Sequence, residues 1–264
     1  MLSPNFFNTI FVFPILNILV LFYKLLLLVK IPGAFGFAII LLTVLVRLIL
    51  HPFFKQQLET AKKMQELKPH LDRLSQKHKK DPKMLQQEQL KLYQEAGINP
   101  ASGCLFMIIQ IPVFIALYNT LSLFLLNANA AKIIADINKV LYSPMLKIAT
   151  INPWFFGFDL AISPGKSGLW YYYFIPVVTA ILQYLQVQVS MPSQAPTLAV
   201  NEQKKDEKKT DNMGDFQKAM NTQMKFIFPL MIGWFSYSLP SGLSLYWNIF
   251  SLFSIMQYRR INKK

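Results

Sequence analysis

An arginine lies inside an apolar run that would otherwise read as an ordinary membrane-spanning helix. The run is Phe35-Gly-Phe-Ala-Ile-Ile-Leu-Leu-Thr-Val-Leu-Val-Arg-Leu-Ile-Leu-His-Pro52, with Arg47 eleven or twelve residues in. Holding a guanidinium near the middle of a bilayer costs about 2.5–3.5 kcal/mol on insertion scales and roughly 10–17 kcal/mol in simulations of a lone helix. Either value is large beside the few kcal/mol by which most proteins are stable, so the charge needs water, a partner or a role. Snorkelling toward the Lys55 side offers one escape. A structural ion pair is the bland alternative, but no Asp or Glu lies in any other apolar segment. A water-filled, functional cavity around Arg47 is therefore expected.

Composition narrows the class. Only 15% of the residues are charged and 53% are hydrophobic, against about 25% charged in soluble domains. The charges are bunched between long apolar runs, which marks an all-α polytopic membrane protein. Cys104 is alone in an apolar segment, so no disulfide framework or cysteine metal site forms. His51, His70 and His78 are too scattered for a metal centre. With no Walker loop, G-x-S-x-G or dinucleotide fingerprint, no catalysis, cofactor or metal is expected. The work done must draw on transfer free energy or the membrane potential. The net charge of +14 suggests nucleic acid, but the basic residues sit in loops that orientation rules place in the cytoplasm. No direct nucleic-acid partner is expected.

A spanning helix needs about 20 apolar residues. Residues 35–54, 101–126, 168–191, 222–239 and 242–258 qualify or nearly do, giving a five-helix transmembrane core. The first intervening loop carries Lys55, Lys62, Lys63, Lys68, Arg73, Lys77, Lys79, Lys80, Lys83 and Lys91. A later loop carries Lys204, Lys205, Lys208, Lys209, Lys218 and Lys225, and the tail 259–264 adds more. The outer loop 127–167 has only Lys132, Lys139, Lys147 and Lys166. The positive-inside rule then puts both basic loops and the C-terminus in the cytoplasm. Residues 1–34 are ambiguous: 6–29 are apolar enough to span, but Lys24 and Lys30 lie at the end that should be external. The preferred expectation is an uncleaved interfacial helix with Asn17 and Lys24 on its wetter side. A sixth span is the alternative.

Residues 55–100 read as a cytoplasmic helical hairpin. Met64, Leu67, Leu71, Leu74 and His78 alternate by three and four, a coiled-coil seam. Asp81-Pro82 breaks the chain, and Leu85, Leu92 and Ala96 continue the seam. Pro69 is expected to kink the first helix. This hairpin, with Lys62, Lys63, Lys68, Arg73, Lys77, Lys79 and Lys80, reads either as a docking surface or as a solvated spacer. Residues 192–221 show no apolar period and are expected to be a flexible loop. In the outer loop, Trp154, Phe155, Phe156 and Phe158 are expected to form an interfacial anchor.

Other polar groups share the spans with Arg47. Thr43 is one turn earlier, and Gln110, Tyr118, Asn119, Gln183, Gln186, Gln188, Ser236, Tyr237, Tyr246, Trp247 and Asn248 follow. Each alone reads as inter-helix hydrogen-bonding worth about 1 kcal/mol. Together with an unpaired arginine they point to a polar concavity, for which Arg47, Thr43, Gln110, Asn119, Gln183, Tyr237 and Trp247 are the candidate lining residues. Residues 224–239 number 16, about 24 Å of helix against a hydrocarbon core of roughly 30 Å, so local bilayer thinning is expected.

Several stretches resemble the YidC/Oxa/Alb family of membrane protein insertases, over nearly the full chain. They are 36–52 with its internal Arg47, Met64-Gln-Glu-Leu-Lys-Pro69, Asp81-Pro-Lys-Met-Leu-Gln-Gln-Glu88 and Leu92-Tyr-Gln-Glu-Ala-Gly-Ile-Asn-Pro100. Gly103-Cys104 then leads into Gln110-Ile-Pro-Val-Phe-Ile-Ala-Leu-Tyr118, and Pro240-Ser-Gly-Leu-Ser-Leu-Tyr-Trp247 precedes 250–257. The resemblance implies a hydrophilic groove open to the cytoplasm and lipid but closed outside, with Arg47 as its arginine and Gln183 and Trp247 facing it. The absence of a large external domain after the first apolar segment, and of a lipoprotein cysteine, suggests the compact bacterial form. The short tail departs from members that bind ribosomes through it.

The expected function is insertion of nascent membrane proteins at the bacterial inner membrane, with lipid, the ribosome, the signal recognition particle receptor and the Sec translocon as partners implied by the resemblance. A small-anion transporter using Arg47 as selectivity charge is the alternative, although the internal repeats typical of transporters are missing.

Overall fold

In the computed structural model, residues 2–78, 81–97, 102–125, 130–190 and 223–262 are described. The expected loop 192–221 lies outside them. Nine α-helices are present among the described residues: α1 (Phe13–Leu28), α2 (Ala34–Ile49), α3 (His51–Lys77), α4 (Pro82–Glu95), α5 (Ser102–Leu125), α6 (Ala130–Val140), α7 (Phe174–Ser190), α8 (Phe228–Ser238) and α9 (Ser241–Asn262). π-Helical turns at Asn8–Val12 and Gln223–Ile227 lead into α1 and α8. Strands β1 (Trp154–Phe155) and β2 (Phe158–Asp159) form the one small sheet among the described residues.

The arginine-bearing run is divided. A proline ring clashes with the carbonyl four residues earlier and offers no N–H, and Pro52 duly sits just inside a new helix. α2 stops at Ile49, and α3 leaves at an angle of 62°. Arg47 therefore stands in the last turn of α2, where the negative end of the helix dipole favours a cation. It does not occupy the middle of a straight span, as the uninterrupted apolar run suggested. Pro69 lies inside α3, which continues through it. At the start of α4, the Asp81 side chain accepts hydrogen bonds from the N–H groups of Lys83 and Met84, both at 3.1 Å, and Pro82 occupies the first turn.

Among the described residues one helix, Asn8–Leu28, is long and apolar enough to cross a membrane unaided; α2 with the start of α3 makes a second if the bent pair is one span. α7, α8 and α9 pack on one another, α9 also packs on α2 and α5, and α1 lies along α2. The core gathers Leu16, Leu19 and Val20 of α1, Phe35, Ile39 and Leu42 of α2, Leu117 and Leu121 of α5 and Leu243 of α9. At the α7–α8 crossing Gly233 lets the helices close up, since an added Cβ there would stand 3.0 Å from the Ala180 side chain.

The N-terminal helix is part of this packing, which corrects the expected wet face. Asn17 is only 4% exposed. Its amide donates to the Phe13 carbonyl at 2.8 Å and the Val140 carbonyl at 3.3 Å, and its oxygen accepts from the Tyr142 N–H at 2.7 Å. Lys24 donates to the carbonyls of Met145 and Lys147, and the Tyr23 hydroxyl accepts from the Asn152 N–H. The polar residues of α1 thus fasten the segment 140–152: Asn17 does so from a buried position and Lys24 at the surface. Asn17→Leu is expected to lower stability by about 2–4 kcal/mol, because the Tyr142 N–H and Val140 carbonyl each lose a buried partner at about 1–3 kcal/mol apiece. Chemical denaturation in detergent micelles measures this, and a change near zero would mean water replaces the amide.

The β1–β2 hairpin turns on Phe156 (φ +46°) and Gly157 (φ +88°), both left-handed, as a two-residue type I′ connection requires. Alternation along its strands splits the expected anchor. Trp154 is 53% and Phe156 70% exposed, whereas Phe155 packs edge-on to Phe37 and Phe158 against Tyr171 and Tyr172. Only the first two face outward as an anchor must.

Candidate functional site

The Arg47 guanidinium is the most buried charge among the described residues, 2% exposed. Its Cζ stands 3.5 Å from the Phe250 ring centroid and 3.9 Å from that of Phe54. Nη2 donates to the Phe250 carbonyl at 3.0 Å and to Ser254 Oγ. Nε is buried with no hydrogen-bond partner among the described residues. The ion pairs among the described residues, Lys55–Glu59 and Lys139–Asp136, lie elsewhere. Among the described residues no carboxylate forms an ion pair with Arg47. The expected hydration is replaced by two aromatic rings, a hydroxyl and a carbonyl.

These partners follow from helix periodicity. On α9, Phe250 and Ser254 are one turn apart and share the face toward α2. Ser244 and Ser251, two turns apart, belong to the neighbouring face toward α7 and α8. There Ser236 Oγ of α8 lies 2.7 Å from Ser244 Oγ and donates to Thr179 Oγ1 of α7 at 3.2 Å. One turn further along α7, Gln183 Oε1 accepts from Ser251 Oγ at 3.3 Å. A polar seam thus runs down α9, with Ser236, Ser244 and Thr179 at one end and Arg47 and Ser254 at the other. Gln186 Oε1 and Asn248 Oδ1 are buried without partners among the described residues.

The expected lining residues distribute unevenly. Arg47 and Gln183 join the seam. Thr43 is buried one turn from Arg47, but its hydroxyl donates back to the Ile39 carbonyl at 2.7 Å, leaving only its lone pairs. Trp247 is half-buried and stacks on Phe114 of α5 with centroids 5.5 Å apart. Asn119 is half-buried on α5, away from the seam's hydrogen bonds. Tyr237 belongs to the opposite end, stacked on Tyr173 and lying over Gly165 in the segment between α6 and α7. The side chains of Gln110 and Lys68, and all of Lys79 and Lys80, lie outside the described residues. Sequence reasoning missed Phe54, Phe250, Thr179, Ser251 and Ser254. The signal available was the serine spacing in the last apolar run, 244, 251 and 254.

On the hairpin, Lys62, Lys63, Arg73 and Lys77 are exposed on α3. Between α3 and α4 lies a cleft of about 280 Å³ with Leu74 and Leu92 among its lining and His70, Arg73, Lys77, Lys91, Glu88 and Glu95 around them. Burial pushes the nearby Tyr93 hydroxyl above its ordinary pKa.

A family described as 60Kd inner membrane protein matches residues 27–264. The inner membrane ALBINO3-like protein 2, chloroplastic, of Chlamydomonas reinhardtii is 36% identical over 233 residues, 86% of this chain and 50% of that protein. The membrane protein insertase YidC of Chlamydia caviae is 30% identical over 233 residues, 88% of this chain and 26% of its own. The protein of that name from Caulobacter vibrioides NA1000 is 50% identical over 109 residues, 41% of this chain and 17% of its own. The chain spans half or less of the length of these relatives. The family match covers the bent arginine helix, the hairpin and the whole seam, so the chain belongs to the 60Kd inner membrane protein family, the YidC/Oxa/Alb group.

Proposed function

We propose that this protein is a membrane protein insertase. A short polar tail of a nascent membrane protein enters from the cytoplasm along the seam between α2, α7, α8 and α9, while its apolar segment stays against lipid. The observation that carries this reading is Arg47, a buried cation with no carboxylate partner and no acceptor at Nε among the described residues. In a low-dielectric site it attracts an acidic or carbonyl-rich tail far more strongly than in water. The YidC relatives bear the name membrane protein insertase, which agrees. Arg47, Gln183 and Trp247 are the residues assigned to the groove, with Thr43 and Asn119 along its walls.

In this reading α2, α5, α7, α8 and α9 are the five spans and the C-terminus is cytoplasmic, because the basic loops face inward. The tail is released outward as the new helix partitions into lipid. For an acidic tail, an outside-positive potential adds about 2.3 kcal/mol per charge per 100 mV. No bond of the substrate is made or broken. The exposed basic face of the hairpin is the surface for targeting factors, the ribosome or a translocon. The kinship does not favour small-anion transport.

The test is insertion of a single-span substrate with an acidic N-terminal tail into proteoliposomes. Arg47→Glu is expected to lower insertion by roughly tenfold or more, the scale of one reversed charge contact in a partly desolvated site, and Arg47→Lys by less. Full activity of Arg47→Glu would remove the charge from the mechanism.

A further inference from the structure

Three contacts tie the root of the cytoplasmic helix α3 to α9, and all lie around Arg47. His51 Nδ1 lies 2.8 Å from Gln257 Nε2. The Phe54 ring meets the Phe250 ring edge-on with centroids 6.4 Å apart. The guanidinium of Arg47 is wedged between those two rings. Phe54 is buried, as is Leu58 one turn further on, so the first turns of α3 are docked on the bundle before the helix runs out into the hairpin.

The wedge limits how a guest can reach the cation. Each ring covers part of the guanidinium surface, and on the Nε edge no acceptor is present among the described residues. Nη2 is the one nitrogen that can join Nε in a fork to a carboxylate, and it is held by Phe250 and Ser254. Its release leaves little behind, because Ser254 Oγ already donates to the Phe250 carbonyl at 2.8 Å. What must move is therefore a ring. Phe250 is fixed on α9, packed beside Tyr246. Phe54 rides on α3, which turns away from α2 at Leu50 and packs on α5 and α9.

We infer that Phe54 and Phe250 are the positioning residues of Arg47, and that Phe54 makes the root of α3 a movable cover over the charge. With the cover closed, Arg47 is dry and aimed; when the hairpin helix swings, the Nε edge opens to a carboxylate or carbonyl of the incoming tail. The inference rests on the insertase reading and deepens it: it names the part that admits the substrate and couples cytoplasmic docking to the groove. An arginine left bathed in water would attract an acidic tail weakly, so the rings also set how sharply acidic tails are preferred over neutral ones.

The experiment uses the full chain in proteoliposomes and two single-span substrates that differ only in an acidic or a neutral tail. General damage to the fold lowers insertion of both equally; loss of positioning lowers the acid-to-neutral ratio. Phe54→Leu is expected to reduce that ratio roughly tenfold, the scale of one lost cation–π contact in a desolvated site, while Phe54→Tyr retains it. Phe250→Leu and Phe250→Tyr are expected to follow the same pattern. An unchanged ratio in both leucine variants, or equal loss in the tyrosine variants, overturns the positioning role. The moving part is tested with His51→Cys and Gln257→Cys in a Cys104→Ser background. Oxidation to the disulfide is expected to arrest insertion and reduction to restore it. Undiminished insertion by the oxidised protein overturns the cover. Arg47→Ala run in parallel separates the two levels: if it is impaired while the Phe54 and Phe250 variants behave as wild type, this inference alone falls. If Arg47→Ala is fully active, the reading beneath it falls too.

Discussion

Arg47→Met is expected to make the protein more stable and useless for inserting acidic tails. The guanidinium is 2% exposed with one donor unpaired, and removing a buried ionic group in favour of an apolar side chain of similar volume is often neutral or stabilising by about 1–4 kcal/mol. Methionine suits the space because it is unbranched and its thioether packs well beside aromatic rings, here Phe54 and Phe250. The substitution creates no new orphan, since Ser254 keeps its bond to the Phe250 carbonyl. The opposing loss is two cation–π contacts, worth about 0.5–2 kcal/mol each, together with the interaction of Arg47 with the end of α2, about 0.3–1 kcal/mol. Desolvation wins if the charge is kept for its role, and the unfolding midpoint in detergent rises. A fall of several degrees would mean that Arg47 is a strut between α2 and α9, and would account for the residue without any guest.

Much of this arrangement is legible in local patterns. Pro52 sits in plain view, and Asp81-Pro82 announces the start of α4. The candidate site is less so. The hydrogen-bond partners of Arg47 come from α9, more than 200 positions away in the chain, and Phe250 reads as one more apolar residue in an apolar run. A search for an opposite charge finds nothing because the balance is made by ring faces and a carbonyl, groups that composition does not flag. The arginine also looked mid-span because an apolar run carries no mark of a bend except its proline. Asn17 misled in the opposite direction. A polar residue in an apolar helix suggests a wet face, but an amide that meets a carbonyl and an N–H from a distant loop is satisfied while dry. Tyr237 was grouped with the groove by its place in a span, although the short turn at Pro240 keeps it at the end bearing the outer loop. Periodicity assigns faces; which neighbour covers a face is a tertiary fact.

Gly36→Ala is expected to destabilise the protein even though alanine is the better helix former. An added Cβ at Gly36 would stand 2.2 Å from Phe155 Cδ2 and 2.4 Å from Cγ, inside the ring's own contact distance. Gly33, at φ +74°, presents the same ring with a contact of 2.7 Å. The two glycines form the seat into which β1 presses Phe155, and that seat holds the outer hairpin against the start of α2. Helix propensity favours alanine by about 0.5–1 kcal/mol, whereas forcing a packed ring aside costs about 1–3 kcal/mol, so the balance is a loss. Phe155→Ala alone is expected to cost about 2–3 kcal/mol, below the full-core range because the ring is half-buried. The decisive variant is the double one. With the ring gone, the three atoms nearest an alanine Cβ at 36 are removed and its propensity is recovered, so Gly36→Ala with Phe155→Ala should be more stable than the sum of the single losses by about 1–3 kcal/mol. Unfolding midpoints of the four proteins, with the rate of cleavage by externally added protease near Phe156, measure the coupling. Strict additivity would mean that the ring does not rest on this glycine, and that the outer hairpin is held by Phe158 and its tyrosines alone.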